Sequence, residues 1–387
     1  MRTILLNKQL KLILLLALLV RVLFFLVYPD QDFPDARAYI NIGQEIFSGN
    51  LVSNHIYMPI YPIITYLFGG KQFLFLFDIL ISLLTLILIF NLSESLFKNS
   101  TISLIATSIF AFYPHSIFYS LAGLTENFFT FSLILSFVFF YKEKNYLGIF
   151  FLVFGVLIKP TFDLINPIIV FIFIFYVQNQ GLKKSVKFIG VYFFIYAVVM
   201  SPWWIHQYEK YGEFVRLNLG DGVVLYAGNN PLNTSGGGIN GIDVNESQFD
   251  IYTNPIERNR VQKREAINFI IENKENFLYL AYKKFFRFWR IWPYAKEYQE
   301  SHIIISSILS YGVILILSIV FIIRYWRQFF KKFFPIYISI IYLTFIHMVT
   351  IGSIRYRYPI EPFLIIMASY SLFGIRGFRD FFTRLSK

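Results

Sequence analysis

The chain has 387 residues, is 56% hydrophobic and 20% aromatic, and carries 15% charged residues, against about 25% in soluble globular chains. That composition excludes an ordinary soluble domain and reads as a polytopic membrane protein. The net charge of +12 does not point to nucleic acid, because residues 201–300 hold twelve basic and twelve acidic side chains and the excess lies elsewhere. The absence of cysteine excludes a disulfide framework and thiolate chemistry.

A membrane span needs about 20 mostly apolar residues. Ten runs qualify: 10–28, 71–93, 101–119, 124–141, 145–159, 161–178, 186–204, 301–323, 334–352 and 359–375. Only Lys159-Pro160 divides the fifth from the sixth, so these two read as short helices meeting at the outer face. The first run lacks a cleavage site of small residues and reads as an uncleaved span. Basic residues gather at both ends and in alternate short loops: Lys8 and Lys11, Lys98, Lys142 and Lys144, Lys183 to Lys187, Arg324 to Lys332, and the tail from Arg376. This positive-inside pattern places both termini in the cytoplasm of a bacterial plasma (inner) membrane. The expected fold is all-α: a single transmembrane domain over 1–387, a bundle of about ten helices. Its outer loops are 29–70, with short amphipathic juxtamembrane helices, and the larger 202–300.

In the first outer loop, Asp32-Phe-Pro-Asp-Ala-Arg-Ala-Tyr39 predicts a helix start, with Pro34 in the first turn and Asp32 as cap. Asp35 and Tyr39 then share a face continued by Ile42 and Ile46, and Ser48-Gly-Asn50 ends the helix. A second short amphipathic piece covers Pro59 to Phe68. In the second loop, Trp203, Trp204, Trp289 and Trp292 bracket the ends as an interfacial belt. Gly236-Gly-Gly238 reads as a flexible turn, since no strand precedes it and no Lys-Ser/Thr follows. Pro255 to Trp292 reads as helical.

Ionisable residues at membrane depth are costly, and are functional or paired. Arg21 and Asp78 are expected to pair between the first two spans. Glu126 is either an N-terminal helix charge capped by Thr125, or a second carboxylate orienting the site and facing Asp35. Lys159, Asp163 and Glu361 complete the set. Arg355-Tyr-Arg-Tyr-Pro359 lies on the outer side, against the charge rule, and the paired donors of Arg355 and Arg357 suit a phosphate. Lys159 adds a third positive charge. Tyr39, His55, Tyr57 and Tyr61 are candidate substrate contacts around Asp35. His55, His115 and His206 form no metal motif, and no metal or other cofactor is expected. A carboxylate there can act as general base on an acceptor hydroxyl or amine, while arginines hold a departing phosphate. One base opposite the leaving group implies inversion.

Seven strings in order carry a family likeness: Asp35-Ala-Arg-Ala-Tyr39, Met58-Pro-Ile-Tyr-Pro62, Leu124-Thr-Glu-Asn127, Ile158-Lys-Pro-Thr161, Ser201-Pro-Trp-Trp204 with Tyr211-Gly-Glu-Phe214, Leu225-Tyr-Ala-Gly-Asn-Asn-Pro231, and Arg355-Tyr-Arg-Tyr-Pro359. The whole chain resembles bacterial membrane glycosyltransferases of the GT-C superfamily. It is similar to the branch with protein O-mannosyltransferases and lipid A aminoarabinose transferases. The resemblance implies a polyprenyl-phosphate-linked sugar donor such as an undecaprenyl phosphate, a lipid, glycan or protein acceptor from outside, and Asp35 as catalytic base. It also implies phosphate binding by Arg355, Arg357 and Lys159. Two positions depart from the pattern. Ala36 follows Asp35 where many relatives have a second acid, and Met58 stands where the aminoarabinose transferases have a basic residue. Two other readings compete. A transporter or flippase for lipid-linked saccharides would place its charges mid-membrane and use inverted repeats, which are not visible. A polysaccharide polymerase or ligase would carry a long loop rich in Arg and His.

Overall fold

The computed structural model describes residues 7–28, 33–48, 56–69, 71–238, 242–294, 298–375 and 377. The expectations placed on Asp32, His55 and the basic tail from Arg376 lie outside the described residues.

Helix α1 (Lys8–Val27) is capped by Asn7, whose side chain accepts from the Leu10 N–H at 3.0 Å. The loop after α1 supplies α2 (Pro34–Ser48) and α3 (Ile60–Leu67). Proline suits the first helical position because its missing N–H is unused there. Gly43 lets the two helices touch: a Cβ built on it would lie 2.3 Å from the Pro62 carbonyl oxygen.

Next come α4 (Lys71–Phe97), α5 (Ser100–Phe112) and α6 (Pro114–Tyr119). The expected span 101–119 is broken where Pro114 forces Tyr113 into extended backbone. Helices α7 (Thr125–Tyr141) and α8 (Asn145–Ile158) follow, and Lys159 is extended before Pro160 for the same reason. A 3-10 turn at Pro160–Phe162 leads into α9 (Asn166–Phe171), which continues as a π-helix over Ile172–Val177. Helix α10 (Leu182–Tyr211) runs through Pro202 and both adjacent tryptophans and seven residues past the expected span end at 204, stopping at left-handed Gly212. Trp203 and Trp204 bond to the carbonyls of Leu217 and Arg216, so they fasten the loop as well as mark its edge.

The long connection after α10 contains α11 (Asp221–Gly228), α12 (Pro255–Glu272) and α13 (Lys274–Phe288). The Gly236–Gly238 turn is packed rather than loose. A Cβ on Gly237 would meet Arg287 at 2.4 Å, and one on Gly238 would meet Ile351 at 2.9 Å. Helix α14 (Ser301–Ser307) passes through a π-turn, Ile308–Gly312, into α15 (Val313–Val349). The chain closes with α16 (Ile354–Arg357) and α17 (Glu361–Phe373).

The protein is an all-helical membrane protein. Among the described residues four stretches are long and apolar enough to cross a bilayer: Lys8–Val27, Phe73–Phe97, Leu182–Tyr211 and Ser301–Val349. Shorter apolar helices cover Ser100–Phe112, Thr125–Tyr141, Asn145–Ile158 and Asn166–Val177. The helical stretch Ser301–Val349 is not straight. Phe321 and Phe333 have ring centroids 4.9 Å apart, although twelve residues of straight helix rise about 18 Å. Trp326 and Tyr337 likewise lie at 6.0 Å. The segment therefore folds back at the basic cluster Arg324 to Lys332, as two antiparallel passes.

Helix α17 is buried on all sides, from Glu361 through Ser369, and packs against α5 and α15. A helix apolar all round belongs in the centre. Helix α7 packs on α4 and α8, and Phe110, Phe137, Phe140 and Phe363 fill the space between helices. The expected Arg21–Asp78 pair does not form. Arg21 is fully buried and donates to Ser82 and Ser116 hydroxyls and to the Ala17 and Ala111 carbonyls. Asp78 instead accepts from the Tyr61 hydroxyl at 2.8 Å.

Candidate active site

The first turns of α2 and α7, the C-terminal end of α8 and the short α16 meet around four charged side chains. Asp35 lies in the first turn of α2, where an acidic side chain suits the helix dipole. Glu126 lies in the first turn of α7. The capping expectation for Thr125 does not hold, since Leu124 occupies that position without a side-chain cap. Lys159 is held by the kink before Pro160, and Arg355 by the short α16, whose cap Ser353 accepts from the Arg355 N–H.

Arg355 joins the two acids. Its Nε and Nη2 donate to Glu126 Oε1 and Oε2 at 2.6 and 3.3 Å, and its Nη1 donates to Asp35 Oδ2 at 2.5 Å. Lys159 Nζ donates to Glu126 Oε1 at 2.6 Å. The second Asp35 oxygen accepts from the Tyr57 hydroxyl at 2.8 Å. Two carboxylates and two cations leave the cluster neutral. Burial is graded across it: the Glu126 side chain is 0% exposed, Lys159 16%, Arg355 25% and Asp35 26%. Glu126 is therefore an anchor that orients Arg355 and Lys159, and Asp35 and Arg355 form the wet edge. Such multiply bonded pairing is what lets buried charges persist. Burial alone would pull the Arg355 guanidinium down, but the Glu126 carboxylate and its other neighbours hold it well above its ordinary value. Burial, then the Asp35 carboxylate, push the Tyr57 phenol up, so it stays a donor.

Three sequence expectations are corrected by this geometry. Arg357 does not join Arg355. It is fully buried, paired with Glu361 at 2.8 Å, bonded to the Phe288 and Arg290 carbonyls, and laid over the Tyr311 ring at 3.5 Å. Glu361 also meets His115 at 3.3 Å, which accounts for that histidine. Tyr39 and Tyr61 are buried wall residues rather than substrate contacts. Tyr39 stands edge-on between Tyr57 and Tyr61, at 4.8 and 5.2 Å, and Tyr61 is committed to Asp78. Tyr57 alone of the three reaches the wet edge. Asp163 belongs elsewhere, paired with Arg216 at 2.7 Å and bonded to Tyr196.

Sequence reasoning missed Tyr356 and His347. Lys159 Nζ sits 4.9 Å above the Tyr356 ring, and His347 stacks on that ring at 4.6 Å and 5°. Phe288 covers His347 at 5.6 Å. Tyr356 was visible inside the Arg-Tyr-Arg-Tyr string, but no local signal marks His347.

No protein-family model and no curated protein matches the chain. Among solved structures, the chain is similar to the oligosaccharyltransferase of Archaeoglobus fulgidus in its apo form, at 13% identity and a TM-score of 0.55. The match covers 94% of this chain and 50% of that chain, so this chain spans about half the length of the solved one. The likeness is one of fold, and the fold is of the GT-C kind.

Proposed function

We propose that this chain is an inverting glycosyltransferase. It moves a sugar from a polyprenyl-phosphate-linked donor to an acceptor at the outer face of a bacterial plasma membrane. The observation that carries the reading is the partly exposed Asp35 carboxylate bound to an arginine that a fully buried glutamate holds in place.

The donor phosphate takes the Nη1 donor of Arg355 and the charge of Lys159, releasing Asp35 Oδ2. Asp35 then accepts the proton of the acceptor hydroxyl or amine. The acceptor atom bonds to the anomeric carbon, the bond from that carbon to the phosphate oxygen breaks, and the lipid phosphate leaves with its electrons. Arg355 and Lys159 stabilise that charge without moving, because Glu126 already fixes them. Arg355 bridges the two carboxylates and Lys159 pairs with Glu126, and the proposed step is written without a metal. Attack from the Asp35 side, opposite the phosphate, inverts the anomeric centre. The transporter and ligase readings find no support in this arrangement, where charges at bilayer depth are tied into fixed pairs.

The test is Asp35→Asn, which keeps the size and removes the base. Transfer by purified protein in the presence of a chelator should fall about 10²–10⁴-fold, with insertion and donor binding retained. Undiminished transfer by the variant would sink the assignment.

A further inference from the structure

Helix α13 lies in the outer loop, and one side of it is buried. Leu280, Ala281, Lys284 and Phe288 face the protein. Lys284 donates to Asn229 Oδ1 at 2.9 Å and to the Val349 carbonyl at 3.3 Å. Arg287 Nε donates to the Gly352 carbonyl at 3.2 Å, and the Phe288 ring stacks on His347. These contacts fasten α13 to the outer end of α15 and to the turn that carries Arg355.

The opposite side is apolar and uncovered. Leu278 is 66% exposed, Tyr282 61% and Phe286 54%, with Phe285 beside them. At about 100° of rotation per residue these four and Trp289 fall within roughly 100° of one another around the axis. Polar Asn276 and Lys283 lie to one side of that stripe, and Lys283 reaches back to the Thr234 carbonyl and over the Tyr279 ring. An amphipathic helix with aromatic and aliphatic residues on one face and cations at its margin lies along a bilayer surface. Exposed apolar residues also lie on the helix against which α13 packs. Ile341 and Phe345, on the part of α15 that leads to the α13 contact, are likewise exposed.

We propose that α13 is embedded in the outer leaflet, its Leu278–Tyr282–Phe285–Phe286 face in contact with acyl chains and its other face holding the Arg355 turn. The bilayer thereby fixes the depth of Arg355 relative to a lipid phosphate. The inference rests on the membrane setting alone and stands or falls apart from the transfer chemistry.

The chain has no cysteine, so single labels can be placed directly. Tyr282→Cys and Phe286→Cys each carry a nitroxide in the full chain, reconstituted in phosphatidylglycerol/phosphatidylethanolamine bilayers. Ile316→Cys on α15 is the lipid-facing reference, and Asn276→Cys the water-facing one. Collision with oxygen, which concentrates in acyl chains, is compared with collision with a water-soluble nickel chelate. Labels at 282 and 286 should match 316, with an oxygen-to-nickel ratio severalfold above that at 276. Nickel access equal to that at 276 overturns the proposal, and so does exclusion of both reagents, which would mean cover by protein.

Discussion

Glu126→Gln isolates what the buried acid does. Glu126 accepts three charge-assisted bonds, two from Arg355 and one from Lys159, with no exposed surface. The glutamine keeps the volume but presents one carbonyl oxygen and an amide that repels the two donors. Arg355 and Lys159 then face only Asp35, and the cluster changes from neutral to a net positive charge. Breaking a buried pair from one side costs about 3–5 kcal/mol. For a chain of this length about 2 °C accompanies each kcal/mol, giving a fall of about 6–10 °C in Tm. The assay is thermal unfolding of the purified protein in one detergent, followed by loss of monodisperse protein. Adding Lys159→Met to Glu126→Gln should recover part of the loss, because the second change removes a cation left without its partner. A fall of less than about 2 °C for the single variant would mean that less than about 1 kcal/mol rests on the triad. Glu126 would then not be its anchor.

Three more outcomes follow from the same contacts. Arg357→Ala should destabilise the protein by about 3–5 kcal/mol, with a comparable fall in Tm, by removing the guanidinium partner of Glu361. The apparent donor KM of the surviving protein should not change, and a raised KM would put Arg357 back at the phosphate. Burial lowers the Lys284 ammonium from 10.5 to about 7. Between those values the unfolded chain binds more protons than the folded one, so stability should rise with pH across that window. Tm scans at the two ends of the window should show the rise in the parent chain and its loss in Lys284→Met. Gly43→Ala forces a methyl against the Pro62 backbone oxygen, so α2 and α3 must part, at about 1–3 kcal/mol. Turnover should fall with Tm as Asp35 moves from Tyr57, and unchanged turnover would show that the α2–α3 contact does not set the site.

The parts of the site visible in the sequence are those set locally. Pro34 and Asp35 mark a helix start by their own chemistry, and Lys159 is turned by the proline after it. The error over Arg357 was also local and could have been avoided. Arg355 and Arg357 are two positions apart on a helical turn, and such residues do not share a face. One therefore meets the wet edge while the other is driven into the core beside Glu361. The aromatic residues around Asp35 were harder to sort, because apolar bulk and a hydroxyl suit a substrate and a buried wall equally. Arg21 and Asp78 were unreadable as partners. Each found neutral donors or acceptors nearby, Ser82 and Ser116 for one and Tyr61 for the other, and composition does not reveal such choices. The reversal between Phe321 and Phe333 was foreshadowed by its basic residues, although the backbone stays helical through it.

The spacing of the Glu126 partners along the chain bears on how the protein is made. Glu126 is synthesised 229 residues ahead of the arginine that grips it. During that interval Lys159 is the cation available to pair with it. Arg355 arrives with the short helix that follows α15, so the charged cluster is completed late in synthesis. A chain cut short before Arg355 keeps the Lys159–Glu126 pair but leaves Asp35 without its guanidinium partner.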